Sequence, residues 1–94
     1  MSYSLLVVKV ARYEMRDSSK ANEIGETAGF IKVIVDGTTE RLLGAAVLAA
    51  EGAELVHLYI ALINADAPYT VIRDAIHIHP TLAEEQQSVL RAIA

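Results

Sequence analysis

The sequence predicts an α+β fold in which an antiparallel β-sheet is covered by helices. Two observations lead to this prediction. Short runs of aliphatic and β-branched residues occupy the first half of the chain, and apolar residues of helical period occupy the second half. The 94 residues are expected to form a single domain over 1–94, because a chain of this length has no room for a second core.

Three strands are expected in the first half of the chain. The segment 3–13 is rich in leucine and valine, and 30–36 is short and β-branched. The polar, glycine-containing stretch between them predicts a long loop. A third strand is predicted over 42–50; it is apolar on both faces and is therefore expected to be central or covered. Asp36 and Gly37 suit a tight reversal, so the second and third strands should form an antiparallel hairpin.

Three helices are expected in the second half. Residues 51–66 place their apolar side chains near one helical face. A short helix is predicted over 69–77, with Thr70 as its N-cap. The last helix should start at Thr81, because Thr81 and Glu84 form the T-x-x-E pattern of a capping box.

Composition excludes several classes of function. A net charge of −4 argues against nucleic-acid binding, which usually requires a basic face. The absence of cysteine excludes a disulfide, a thiolate metal site and a thiol nucleophile within these residues. The glycines match neither a dinucleotide-binding loop nor a P-loop, and no serine lies in a nucleophile elbow.

The same composition bears on location and assembly. No apolar run is long enough to cross a membrane and the N-terminus lacks the features of a signal peptide, so we expect a cytoplasmic protein. The hydrophobic share of 53% is high for a small domain, which buries only about two-thirds of its unfolded surface. We therefore expect part of the apolar surface to be covered by a partner in an oligomer.

Candidate chemistry is concentrated in DAIHIHPTLAEEQ, residues 74–86. His77 and His79 would point to the same side of an extended segment and could bind a metal, although no spacing predicts a third ligand. Alternatively, Glu84 could orient the His79 imidazole for acid–base work. A third interpretation is that Thr81 and Glu84 only initiate a helix. The residues alone leave these three possibilities open.

Four blocks of the sequence, in the same order, resemble the C-terminal dimerisation (interface) domain of the flavin-dependent pyridine nucleotide–disulfide oxidoreductases. This family includes glutathione reductase, dihydrolipoamide dehydrogenase and mercuric reductase. The blocks are E-T-x-G-F-x-K at 26–32, D-x-x-T-x-R-x-L-G at 36–44, E-G-A-E-L-V-H at 51–57 and H-P-T-x-x-E at 79–84. The likeness covers roughly residues 5–92, and the variant of the last block looks closest to the mercuric-reductase-like branch.

The resemblance implies a homodimer in which His79 reaches toward the partner's flavin and redox disulfide as an acid–base group and Glu84 orients it. No role carries over to His77. Full-length relatives use FAD and NAD(P); their flavin- and nicotinamide-binding domains are expected to be absent here, so no cofactor is expected in this chain and it should not be redox-active alone. Two alternatives remain: a subunit or fragment that donates His79 and Glu84 to a separate flavoprotein oxidoreductase, or a small metal-binding module using His77 and His79.

Overall fold

The computed structural model describes residues 7–93, which are built around a three-stranded antiparallel sheet in the order β1-β2-β3. The strands are β1 (Val8–Glu14), β2 (Phe30–Asp36) and β3 (Leu42–Leu48). The predicted hairpin of the second and third strands is confirmed, and so is the α+β class. Residues 3–6 of the first predicted strand lie outside the described residues.

The loop expected between the first two strands contains helical structure, so that part of the prediction was wrong. A 3₁₀ turn at Met15–Asp17 is followed by α1 (Ser19–Ile24). The Ser18 hydroxyl accepts a hydrogen bond from the Ala21 amide at 3.2 Å and so caps α1. The helix ends at Gly25, whose φ of 74° is a conformation that glycine adopts without strain. The segment is rich in polar residues that are common in loops, so the sequence did not indicate Ser18 as a helix cap.

The helices of the second half lie close to the expected positions but are shorter. α2 (Gly52–Leu55) and α3 (His57–Asn64) are separated only by Val56. α4 covers Thr70–Arg73, and no side chain caps it, contrary to the N-cap role expected for Thr70. α5 covers Glu85–Arg91 and follows a turn that begins near Thr81. No helix within residues 7–93 is long and apolar enough to span a bilayer.

The core lies between one face of the sheet and the helices. On β2 the alternate residues Ile31, Val33 and Val35 are fully buried, as expected for a strand with one covered face. α5 packs on β1 and β2, and α3 packs on β3. The side chains that these helices add to the core are Tyr59, Leu62, Val89 and Leu90.

The opposite face of the sheet has no helix over it in the described part of the chain. Val8 and Val10 of β1 and Leu48 of β3 are exposed there. The apolar third strand was expected to be central or covered. Within residues 7–93, β2 is central and β3 is an edge strand, because both β1 and β3 pair with β2. One face of β3 is nevertheless covered by α2 and α3.

Replacing Ile31 by alanine should lower the free energy of unfolding by about 2–5 kcal/mol, because the side chain is 0% exposed and its removal leaves a cavity. The same substitution at Ile24, which is 44% exposed, should change stability by no more than about 0.5 kcal/mol. Urea titrations of both variants measure the difference, and equal losses would contradict the assigned core.

Candidate functional site

The His79–Glu84 pair lies in the loop that connects α4 to α5. Nδ1 of His79 is 2.7 Å from Oε1 of Glu84. The His79 side chain is 68% exposed, whereas that of Glu84 is only 16% exposed. The peptide bond between His79 and Pro80 is cis. The pair therefore consists of a projecting imidazole held by a largely covered carboxylate.

Thr81 connects the two ends of this loop. Its amide donates to Oε1 of Glu84 at 3.3 Å, and its hydroxyl accepts from the Glu84 amide at 3.1 Å. These are the two reciprocal bonds predicted from T-x-x-E, but they close the turn at 81–84. α5 itself begins at Glu85 and no side chain caps it, contrary to the start expected at Thr81. The same hydroxyl donates to the Ile78 carbonyl at 2.7 Å. One carboxylate oxygen thus serves both the turn before α5 and the imidazole.

His77 is held in a different environment. Its Nε2 lies 3.1 Å from the Ile72 carbonyl, and because a carbonyl only accepts, Nε2 must be the donor. That nitrogen is therefore not available to a metal in this arrangement. Among residues 7–93, no group of three or more His, Asp or Glu side chains could hold a metal ion. The metal interpretation of His77 and His79 gains no support from this geometry.

Two buried glutamines fix the orientation of α5. The side-chain amide of Gln87 donates to the carbonyls of Arg73 and Ala75 at 2.8 and 2.7 Å. That of Gln86 donates to the Leu55 carbonyl at 2.5 Å, and the Tyr59 hydroxyl donates to the Gln86 carbonyl at 2.7 Å. These bonds tie α5 to α2, α3 and the end of α4, so that Glu84 precedes a fixed helix.

Glu85 attaches α5 to the sheet. The Tyr13 hydroxyl on β1 donates to Oε2 of Glu85 at 2.7 Å, and the Ser88 hydroxyl donates to Oε1 at 3.0 Å. Burial, followed by the hydrogen bond to Glu85 and its charge, raises the pKa of Tyr13 above its usual range. Tyr13 therefore keeps its proton at neutral pH and remains a donor.

The sequence interpretation missed the buried polar run of α5. A run of charged and amide side chains after a helix start is typical of a solvated face. The available signal was spacing: Glu85 and Gln86 lie four residues before Val89 and Leu90, and therefore on the same helical face as these two core residues.

The site can take part in proton transfer but lies on an open surface. In neutral His79 the proton sits on Nδ1, where it is donated to Glu84, and Nε2 carries a lone pair. A shallow depression of about 290 Å³ is present in the described residues, and neither His79 nor Glu84 lines it. It is lined by Glu26, Ala28, Gly29, Leu48, Ala49 and Ala50. Any molecule that reacts at Nε2 must therefore be held by groups other than this pocket.

Comparison with known proteins gives a consistent result. Residues 3–90 match the family described as "Pyridine nucleotide-disulphide oxidoreductase, dimerisation domain". The chain is 33% identical over 87 residues to dihydrolipoyl dehydrogenase of Corynebacterium glutamicum, covering 93% of this chain and 19% of that protein. It is 35% identical over 65 residues to the probable pyridine nucleotide-disulfide oxidoreductase RclA of Escherichia coli, covering 69% of this chain and 15% of that protein.

A solved structure shares the fold. The HOCl-induced flavoprotein disulfide reductase RclA from Escherichia coli superimposes with a TM-score of 0.89 at 28% sequence identity. The match covers 95% of this chain and 20% of that one. The chain thus spans a fifth or less of the length of these relatives.

Replacing Glu84 by alanine should lower the free energy of unfolding by about 1 kcal/mol, because the Thr81 amide loses its acceptor at the start of α5. Glutamine keeps an acceptor oxygen at this position of a capping box, so Glu84→Gln should lose less than half as much. Urea titration compares the two variants. Equal losses would show that the charge of Glu84, and not its hydrogen bond to Thr81, stabilises the helix start.

Proposed function

The chain belongs to the family of pyridine nucleotide-disulphide oxidoreductase dimerisation domains, and from this membership we propose that it forms a symmetric homodimer that presents His79 and Glu84 to a flavin/disulfide site. The observation that carries the proposal is the exposed imidazole whose Nδ1 is held by a covered carboxylate. Glu84 fixes the orientation of the ring and stabilises the imidazolium when Nε2 takes a proton.

Apolar side chains on the helical side support self-association. Tyr59 and Leu62 of α3 point into the core, whereas Ile60 and Ile63 on the same helix are exposed. Val71 of α4 is exposed as well. Apolar side chains left outside a small domain are typical of a contact surface. A two-fold axis would place such a surface against its own copy.

The surroundings of His79 support its role at a contact between proteins. Ile76 and Ile78 precede it in the loop, and both are largely exposed. Within residues 7–93, Nε2 of His79 has no hydrogen-bond partner, whereas Nδ1 is engaged by Glu84. The loop therefore presents two apolar side chains that could contact another protein, and beside them a ring nitrogen with a free lone pair that could accept a proton there.

The proposed chemistry is acid–base assistance to thiol–disulfide exchange. Nε2 would take the proton of a thiol, and the resulting thiolate would attack a disulfide sulfur and release the second sulfur as the leaving group. The chain contains no cysteine, so the thiol and the disulfide would belong to the flavin-bearing part and its substrate. There the flavin would supply the electrons that reduce the disulfide.

The residues present here do not fit FAD by themselves. The sequence has no glycine-rich phosphate loop, and the charged residue that lines the shallow pocket is the acidic Glu26, whereas a diphosphate requires donors. Because the relatives are more than four times as long as this chain, the flavin would be held by additional sequence or by a separate flavoprotein oxidoreductase. In both cases His79 and Glu84 would have the same role.

Self-association is tested by sedimentation of the full 94-residue chain at micromolar concentration, where a dimer is expected. Ile63→Glu should weaken the dimer at least about tenfold, because a charge would be buried at the contact. Val10→Glu is the matched control: Val10 is 55% exposed, against 49% for Ile63, but it lies on the open sheet face. A wild-type chain that stays monomeric would end the proposal.

The acid–base role is tested in a disulfide reductase complex reconstituted from this chain and a flavin-bearing partner. His79→Gln should lower turnover by about 10²- to 10⁴-fold, the range for loss of a general acid–base group. His77→Gln is the control, because the ring of His77 is bonded to the Ile72 carbonyl and takes no part in the proposed step. Equal turnover in the two variants would refute the assignment of His79.

A further inference from the structure

Thr81 makes more contacts in the loop than a helix cap requires. A cap needs its hydroxyl to accept from the Glu84 amide, and this bond is present at 3.1 Å. The donation of the same hydroxyl to the Ile78 carbonyl at 2.7 Å adds nothing to the helix. Through the two bonds, the Thr81 hydroxyl links the main chain of Ile78 to that of Glu84, and His79 lies in the loop between these residues.

We propose that Thr81 is a positioning residue for His79. Its hydroxyl joins the Glu84 amide to the Ile78 carbonyl, and its amide donates to Oε1 of Glu84. By holding Glu84 in place, it keeps the proton of the neutral imidazole on Nδ1 and leaves the Nε2 lone pair directed outward. A catalytic consequence of this positioning rests on the proposed function of His79. The hydrogen bonds from which the positioning is inferred are independent of that function.

Oε1 of Glu84 has two donors. It accepts from Nδ1 of His79 at 2.7 Å and from the Thr81 amide at 3.3 Å. If the imidazole moved its proton to Nε2, an Nδ1 lone pair would face a carboxylate oxygen, which is unfavourable. The side chain of Glu84 is mostly covered, so it cannot readily turn to water instead. The tautomer of His79 therefore depends on where Oε1 is held.

The neighbouring histidine provides an internal reference. Nε2 of His77 donates to the Ile72 carbonyl, so its neutral ring carries the proton on Nε2. Two histidines of one loop should thus occupy opposite tautomers. Thr81 contacts the partner of His79 but not the partner of His77. A change at Thr81 should consequently alter one ring and leave the other unchanged.

The experiment is ¹⁵N NMR of the ring nitrogens in the full 94-residue chain, at a pH that leaves the imidazoles neutral. His79→Asn and His77→Asn variants assign the signals. In the wild-type chain the Nδ1–H form should dominate at His79 and the Nε2–H form at His77. Thr81→Val keeps the amide bond to Oε1 of Glu84 but loses the two hydroxyl bonds that hold the Glu84 main chain to Ile78. It should therefore lower the ratio of Nδ1–H to Nε2–H at His79 by about tenfold, the scale of one neutral hydrogen bond. Thr81→Ser should restore the ratio, and His77 should not change.

A Thr81→Val chain with reduced stability but an unchanged His79 ratio would show that Thr81 only holds the turn before α5 and would overturn the proposal. Failure of Thr81→Ser to restore the ratio would overturn it as well. If Thr81→Val does not fold, Thr81→Gly replaces it, because glycine is tolerated at a helix N-cap and has no hydroxyl. A chain that proves monomeric refutes the proposed homodimer and leaves the tautomer measurement intact, so the two failures are distinguishable.

Discussion

The hydrogen bonds of the Gln87 side chain are the constraint on which the site depends. This side chain reaches from α5 to the carbonyls of Arg73 and Ala75, where α4 ends and the His79 loop begins. The other end of the loop is Glu84, directly before α5. One short helix thus holds both ends of the loop. The helix is in turn fixed to the sheet by Tyr13 and to the preceding helices by Gln86, so the position of the imidazole is linked to the whole core.

Much of the fold follows from local sequence patterns. The β-branched segment 30–36 became β2, and T-x-x-E formed the capping bonds that its spacing predicts. Strand order could not be predicted in this way. The apolar strand β3 suggested a covered position, but a strand's own residues do not reveal which neighbour it pairs with. α1 was missed for a related reason, since Ser18 and Gly25 are as common in loops as at helix ends.

The candidate site was predictable in part. The residues of H-P-T-x-x-E allowed a hydrogen bond between His79 and Glu84, and the resemblance favoured it over the metal alternative. The bond from His77 to Ile72 could not be predicted, because it depends on where α4 ends. The buried amides of Gln86 and Gln87 were also missed, since pairing with main-chain carbonyls from distant segments leaves no local pattern.

Oε1 of Glu84 belongs to the folding of α5 and to the orientation of His79 at once. A substitution of Glu84 would therefore lower both the amount of folded protein and any rate that depends on His79. The two effects give the same low activity in a cell extract and cannot be separated there. His79 makes its recorded hydrogen bond to Glu84 alone and projects into solvent. Variation at His79 is thus a cleaner test of the proposed acid–base role than variation at Glu84. A mutational scan that ranks the two by activity alone would count the folding loss at Glu84 as a loss of chemistry.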